Sequence, residues 1–234
     1  MKNQENAAGF KIRFKFYKKD EYKYLSHLNI VNIITRALRR AGIKTKYSCG
    51  YRPKPKINFS NPTPLGVDSF AEYCDVVVLE DIEECEFLSA VNLELVPQMM
   101  ATRAKKIDIK SASISSDISV CLYCFELDAA SSTVNFINEF TESVKNNIKS
   151  KSDFSSSIFD MMVKTSNENI IFVKLYGYVK IFKNLNNEIF KFNNFLEFFQ
   201  NWIKKYNIIN ISYIKKEEIY IFKDNTLKTP MEII

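Results

Sequence analysis

The chain has no acidic residue between Glu21 and Asp68. That window holds nine basic residues: Lys23, Arg36, Arg39, Arg40, Lys44, Lys46, Arg52, Lys54 and Lys56. The whole chain has 33 basic and 27 acidic residues, so 24 basic and 27 acidic residues lie outside the window. The positive excess therefore comes entirely from one stretch. A field of one sign attracts an anionic partner, most often a phosphate backbone.

Arginine is scarce, since six Arg stand beside 27 Lys. Four of the six Arg fall inside the acid-free window. The guanidinium group is a planar fork with several donors, which suits phosphates and base edges. An anion-binding site is one interpretation of this clustering. A solvated helix face with its counterions is the other.

Sequence signatures of nucleotide and metal sites are missing. The chain has no GxGxxG motif, no P-loop and no CxxxCxxC motif for an iron–sulfur cluster. Its five cysteines are scattered and odd in number, which argues against a disulfide framework. Cys121 and Cys124 form a CxxC pair in a run that predicts a strand, where residues i and i+3 face opposite ways. We therefore expect no metal and no cofactor.

Long apolar runs are also absent. One of the most apolar stretches, residues 170–178, is far too short to cross a bilayer. Residues 1–9 are polar and lack a signal-peptide core, so we interpret them as a disordered tail. We expect a cytoplasmic protein without a membrane partner.

Hydrophobic periodicity predicts the elements of the first half. Residues 10–17 alternate apolar and basic side chains, which predicts a half-buried strand with its basic residues outward. Residues 27–41 repeat apolar side chains at spacings of three and four, which predicts an amphipathic helix capped by Ser26. Four prolines make residues 47–66 extended and rich in turns. Further strands are predicted at 57–60, 72–80 and 102–110, and a further helix at 83–93.

The second half repeats this order after a Ser-rich segment at residues 111–116. Strands are predicted at 118–127, 158–165, 169–178 and 207–222, and helices at 134–149 and 195–206. Each half is then β-α-β-β-α-β, so we predict an α+β fold of two tandem ferredoxin-like units. The predicted domains are residues 10–112 and 113–234.

The end of the acid-free window interleaves aromatic and basic side chains. Aromatic faces can stack on bases while cations hold phosphates. The alternative is that the rings of Tyr47, Tyr51 and Phe59 pack beneath a Pro-rich loop. The candidate nucleic-acid site comprises Arg36, Arg39, Arg40, Lys46, Tyr51, Arg52, Lys54 and Lys56.

Several motifs, in a specific order, resemble a known family. They are YLSHLN at 24–29, RALRRAG at 36–42, YSCGY at 47–51, PKI at 55–57, PLGV at 64–67 and AEY at 71–73. Over about residues 10–95 the chain resembles the uncharacterised family of radical-SAM-linked proteins. The resemblance implies a B12-binding radical SAM protein as partner, because members are often encoded beside such a protein or fused to it. The family has no established activity, so the resemblance implies no particular chemistry.

One position departs from the pattern of that family. The family usually has FNPHPK where this chain has YRPKPK at residues 51–56. Lys54 thus replaces a histidine. A role that needs an imidazole there is in doubt, whereas a role that needs positive charge is kept.

His27 is the only histidine of the chain. It follows Ser26 at the start of the predicted helix, where the positive end of the helix dipole disfavours the imidazolium. A general acid or base is one interpretation. A packed or capping residue is the favoured one, because the sequence shows no catalytic partner. The predicted domains also resemble repeat-processing endoribonucleases of CRISPR systems, by fold analogy alone.

We expect a non-catalytic RNA-binding protein that acts with a radical SAM enzyme on RNA, with tRNA or rRNA as the candidate ligand. One alternative is an adaptor that docks the radical SAM protein through the basic surface. A second alternative is an endoribonuclease that uses His27. A site for a phosphorylated small molecule is a weaker possibility.

Overall fold

The computed structural model describes residues 9–129, 142, 146, 158–167, 170–178, 192–204 and 208–233. The chain divides into two compact units, Met1–Asp117 with Lys228–Ile234, and Ile118–Leu227. Both combine helices with antiparallel strands, so the fold class is α+β. The division falls a few residues after the predicted boundary at 112 and 113. The segment from Lys228 belongs to the first unit, not to the second.

The first unit has the order β-α-β-β-α-β. Its elements are β1 (Phe10–Lys18), a 3-10 turn (Asp20–Tyr24), α1 (His27–Arg40), β2 (Ile57–Phe59), β3 (Asp68–Val78), α2 (Glu84–Asn92), β4 (Ala101–Ile107) and the short α3 (Ile114–Asp117). The sheet order is β4-β1-β3-β2, and each neighbouring pair is antiparallel. The elements predicted for this half are confirmed, although β3 begins at Asp68 instead of residue 72.

The core of the first unit lies between one face of the sheet and its two long helices. Its buried side chains include Ile12, Phe14 and Phe16 of β1, Ile30, Ile34 and Leu38 of α1, and Phe87 and Val91 of α2. The spacing of three and four in α1 places its apolar side chains in one stripe, because a turn takes 3.6 residues. The rest of the α1 surface faces solvent.

The opposite face of β1 is covered as well, so the predicted half-buried strand is wrong in this respect. The side chains of Lys11 and Arg13 are only 7% and 3% exposed. Arg13 donates from Nε and Nη2 to the two carboxylate oxygens of Asp75, at 2.7 and 3.0 Å. Lys11 Nζ donates to the main-chain oxygen of Ser111 at 2.7 Å. The main-chain oxygen of Pro230 accepts from Arg13 Nη1 at 3.5 Å, so the C-terminal segment helps to bury this face.

The second unit repeats the strand arrangement in its described part. Its elements are β5 (Val120–Ala129), β6 (Ile158–Asn167), β7 (Ile170–Tyr178), α4 (Phe192–Ile203), β8 (Ile208–Lys223) and β9 (Thr226–Lys228). The order β8-β5-β7-β6 is antiparallel throughout. The rings of Phe192 and Phe199 pack on Phe125, with centroids 6.2 and 5.2 Å away. The helix predicted at 134–149 lies outside the described residues, apart from positions 142 and 146.

Candidate nucleic-acid interface

Helix α1 presents two arginines to solvent. The helix begins after Ser26, whose Oγ accepts a hydrogen bond from the main-chain N of Asn29 at 3.3 Å, which confirms the predicted N-cap. Arg36 and Arg39 are exposed, away from the buried stripe. Within the part of the chain that the structure describes, neither residue forms an ion pair. Both guanidinium groups are therefore available to an anion.

Two other cations of the acid-free window contact acidic residues from outside it. Arg40 donates from Nε to Glu94 Oε2 at 2.6 Å and from Nη2 to the main-chain oxygen of Glu94 at 2.7 Å. Lys44 Nζ donates to Glu80 Oε1 at 2.5 Å. Glu94 follows the end of α2, so Arg40 connects the C-terminal ends of the two helices. Arg40 is thus less available to an anion than its neighbour Arg39.

Residues 46–56 form a hairpin, which we name the basic arm. Three pairs close it: Lys46 with Lys56, Tyr47 with Pro55, and Ser48 with Lys54. The main-chain N of Lys56 donates to the oxygen of Lys46 at 2.7 Å. The main-chain N of Lys46 donates to the oxygen of Val77 at 2.7 Å, which attaches the base of the arm to β3. The segment predicted to be extended and turn-rich is therefore an ordered projection from the sheet.

The tip of the basic arm is highly exposed. Tyr51 has 98% of its surface exposed, and Arg52 and Lys54 are exposed beside it. Gly50 has φ +124°, a conformation that other residues rarely adopt, so the reversal at the tip requires glycine there. Among the described residues, Arg52, Lys54 and Lys56 form no ion pair. The arm therefore carries positive charge and one aromatic ring into solvent.

A cleft separates the end of α1 from the base of the basic arm. Its volume is about 300 Å³. Arg39 lines it from the helix, and Tyr47 and Pro55 line it from the arm. The tertiary structure therefore brings Arg39 beside the arm, which begins seven positions further along the chain at Lys46. Arg36 does not line the cleft.

His27 is exposed in the first turn of α1, and its ring packs on Phe59. The ring centroids are 5.6 Å apart and the planes are perpendicular, at 90°. Phe59 in turn packs edge-on against Phe16 of the core, at 6.5 Å. Within the described ranges, the His27 ring makes no hydrogen bond that would orient it as a general base. This geometry fits a packed residue.

Sequence reasoning missed the buried charged residues of β1 and β3. Lys18, Asp68 and Glu72 are buried, and Thr63 Oγ1 donates to Glu72 Oε1. Glu72 lies in the AEY motif at 71–73, whereas Lys18 and Asp68 lie in none of the motifs named above. Burial, and to a smaller extent the charge of Asp75, raise the pKa of the Cys74 thiol well above its usual range. This cysteine is consequently a poor nucleophile.

The described residues show no metal centre. Within them, no group of three or more His, Cys, Asp or Glu side chains is placed to hold a metal ion. Cys121 and Cys124 are both buried in β5 as free thiols. None of the helices in the described ranges is long and apolar enough to cross a membrane.

Comparisons with known proteins add a family but no activity. A family model described as "Uncharacterized protein conserved in bacteria (DUF2344)" matches residues 11–179. No curated protein matches the chain. One solved structure, described as an unknown protein from Galdieria sulphuraria, is 11% identical. The match covers 85% of this chain and 92% of that one at a TM-score of 0.26, which supports no argument about fold or function.

Proposed function

The chain belongs to the family of uncharacterized proteins conserved in bacteria, DUF2344, and we propose that within it this member is a non-catalytic RNA-binding protein that acts with a radical SAM enzyme on RNA. The observation that carries the proposal is the exposed positive charge on the basic arm and on α1. Five cations there are exposed and form no ion pair within the described residues: Arg36, Arg39, Arg52, Lys54 and Lys56.

The distribution of these groups favours a nucleic acid over a small anion. Cations spread along a hairpin and a helix match several phosphates in a row, whereas a single small anion needs donors that converge on one point. Tyr51 is almost fully exposed beside Arg52, and an exposed ring next to cations suits stacking on an unpaired base. We therefore propose single-stranded or looped RNA, as in tRNA or rRNA, as the ligand.

The first experiment measures binding of the protein to total tRNA and to a single-stranded RNA over a series of salt concentrations. The test variant is Arg52→Glu/Lys54→Glu on the arm. The matched control is Arg103→Glu/Lys110→Glu, which reverses one exposed arginine and one exposed lysine at and beyond β4. Arg103 lies in β4, at the edge of the sheet order β4-β1-β3-β2 away from the arm, and Lys110 follows that strand.

We expect the log affinity of the wild type to fall linearly with log salt, because phosphate contacts release counterions. The arm variant should bind more weakly, with a salt slope reduced by about two phosphate contacts, while the control stays close to wild type. Tyr51→Ala should weaken binding by roughly tenfold or more through lost stacking. The absence of RNA binding at low salt, or an equal loss of RNA affinity in the arm variant and the control, would contradict the proposal.

We also propose that both units are ferredoxin-like. The strand orders β4-β1-β3-β2 and β8-β5-β7-β6 place corresponding strands in corresponding positions, and the described pairings are antiparallel. This order agrees with the β-α-β-β-α-β arrangement predicted for each half. The proposal requires a helix between β5 and β6, which backbone chemical shifts of residues 134–149 would test.

A second candidate function is an adaptor that docks the radical SAM protein, and an exposed apolar patch favours it. Tyr24, Leu28 and Leu65 are 66%, 67% and 64% exposed. The main-chain N of Gly66 donates to the oxygen of Lys23 at 3.1 Å, which holds the Leu65 loop beside the start of α1. Grouped exposed apolar side chains are typical of a protein contact. All three lie in the motifs that resemble radical-SAM-linked proteins.

Copurification with the radical SAM protein after nuclease treatment tests the adaptor. Leu28→Asp/Leu65→Asp should release the partner while RNA binding persists. Leu93→Asp is the control, because Leu93 is 85% exposed but lies beyond the end of α2. Loss of the wild-type partner on nuclease treatment would mean that RNA bridges the two proteins. Retention by the double variant would exclude this patch.

A further inference from the structure

The cleft between α1 and the basic arm has an apolar wall and a charged rim. The wall residues are Ile43, Tyr47, Pro55, Ile57 and Leu79. Arg39 and Lys44 supply the charge, and Thr35 and Thr45 supply hydroxyl groups. A volume of about 300 Å³ lies at the lower end of the range of small-ligand sites. Such a space suits one base with its sugar and excludes a duplex.

The walls of the cleft are held in place by main-chain hydrogen bonds. Gly42 ends α1 with φ +73°, and the main-chain N of Ile43 then donates to the oxygen of Leu38 at 3.0 Å. The main-chain N of Leu79 donates to the oxygen of Lys44 at 2.8 Å. Tyr47 is held by its bridge to Pro55. The cleft is therefore preformed, which lowers the ordering cost of filling it.

The charges at the rim are unequal. Lys44 contacts Glu80, whose carboxylate would repel a phosphate on that side. Arg39 forms no ion pair in the described part of the chain. A phosphate is therefore favoured on the Arg39 side. Tyr47 is 42% exposed, so part of its ring surface is open to a base.

We infer that this cleft is a subsite for a single unstacked nucleotide of the RNA strand, with its base against Tyr47 and its phosphate at Arg39. The inference rests on the proposed RNA binding and deepens it. The arm and helix would hold neighbouring phosphates, while the cleft selects a strand in which one base can leave the stack. The protein would then prefer single-stranded or looped RNA to duplex RNA.

The test uses a short oligouridylate with one central 2-aminopurine, whose fluorescence falls when its base stacks on an aromatic ring. The variants are Tyr47→Ala and Arg39→Ala, each checked for folding by thermal melting. Their controls are Phe70→Ala and Arg103→Ala, which remove an exposed aromatic residue and an exposed arginine away from the cleft. Thr35→Phe fills the cleft from α1 and keeps the experiment decisive if Tyr47→Ala does not fold.

We expect fluorescence to fall when the wild type and both controls bind. Tyr47→Ala and Thr35→Phe should abolish this decrease and weaken RNA binding by roughly tenfold, the size of one stacking contact. Arg39→Ala should weaken binding and reduce the salt slope by about one. The same oligomer in a perfect duplex should bind more weakly than the single strand.

Three outcomes would overturn the inference. Unchanged quenching in Tyr47→Ala and Thr35→Phe, with RNA still bound, would remove the cleft from the interface and leave RNA binding intact. Displacement of the labelled RNA by free AMP at equal concentration would instead assign the cleft to a free nucleotide. No RNA binding by the wild type would overturn the proposed function and this inference together.

Discussion

Arg40 contacts Glu94 at two points: Nε lies 2.6 Å from Glu94 Oε2, and Nη2 lies 2.7 Å from the main-chain oxygen of Glu94. Its neighbour Arg39 lines the cleft and has no ion pair among the described residues. Two adjacent arginines with the same predicted role therefore have different surroundings. Arg40 connects α1 to the end of α2, whereas Arg39 faces the space beside the basic arm.

This difference predicts opposite effects of two alanine substitutions. Arg40→Ala should lower the free energy of unfolding by about 0.5–1 kcal/mol, because a partly exposed ion pair is lost, and should change RNA affinity little. Arg39→Ala should change stability by less than about 0.5 kcal/mol and weaken RNA binding. Urea unfolding and RNA titration of both variants check this. Equal losses of RNA affinity would show that Arg40 binds RNA despite its contact with Glu94.

Asp75 is predicted to be a major contributor to the stability of the first unit. Its carboxylate is fully buried, accepts two hydrogen bonds from Arg13 and accepts a third from the main-chain N of Ile114 at 3.1 Å. Asp75→Ala leaves the Arg13 charge buried without its partner, so we expect a loss of about 3–5 kcal/mol in chemical denaturation.

The control for Asp75 is the double variant Arg13→Met/Asp75→Leu. It removes both charges of the pair and restores apolar volume, and such replacements often cost little. Lys11 loses its ion pair with Asp75, at 3.8 Å, in both variants and keeps its hydrogen bond to the main-chain oxygen of Ser111. The double variant should therefore be more stable than Asp75→Ala. If the single variant is the more stable one, the buried charge of Arg13 is not the source of the loss.

The substitution His27→Ala tests whether the protein cleaves RNA in addition to binding it. We expect labelled RNA to remain intact with both the wild type and the variant, because the His27 ring packs on Phe59 and has no orienting partner in the described part of the chain. The lost ring contact should lower stability by about 0.5–1.5 kcal/mol, and His27→Phe should largely restore it. Cleavage by the wild type that disappears in His27→Ala would establish the endoribonuclease alternative.

The burial of Cys74 predicts that the free energy of unfolding falls at alkaline pH. Its thiol is fully buried, and burial and then the charge of Asp75 raise its pKa in the folded state. The stabilising contribution of the neutral thiol is fully present below the unfolded-state pKa of about 8.5. It is lost as the pH rises above that value towards the folded-state pKa, with a slope of roughly 1.4 kcal/mol per pH unit.

Urea unfolding of the wild type and of Cys74→Ala between pH 8 and pH 10 measures this contribution. The two pH values lie on either side of the usual thiol pKa. The variant should lack the extra alkaline slope. Cys85→Ala is the control, because Cys85 is exposed, and it should keep the slope of the wild type. Identical slopes in all three proteins would assign the alkaline loss to other groups.

Several predicted elements depended only on neighbouring residues, and the structure confirms them. The helix predicted at 27–41 is α1, His27–Arg40, because Ser26 caps its start and Gly42 adopts positive φ after its end. The strands predicted at 158–165 and 169–178 are β6 and β7, which pair antiparallel. In contrast, α4 begins at Phe192 instead of residue 195, since no clear cap in the sequence marks its start.

The candidate site was predictable as a set of residue types but not as an arrangement. The sequence showed that Tyr51 and Arg52 lie in a Pro-rich segment, but packing beneath the loop and exposure were equal alternatives. The hydrogen bond between Lys46 and Val77 attaches the base of the arm to β3, and Tyr51 at the tip is 98% exposed. The cleft depends on this placement, because residues of both α1 and the arm line it.

By itself, the sequence determined the helices and strands of the first unit and the concentration of positive charge between Glu21 and Asp68, since both depend on residues close together along the chain. Tertiary structure alone decided which charges remain exposed. Arg40 contacts a residue 54 positions away, and Lys44 one that is 36 positions away. Arg13 contacts Pro230, 217 positions along the chain. Periodicity carries no information about such distant partners, because they meet only when the chain folds.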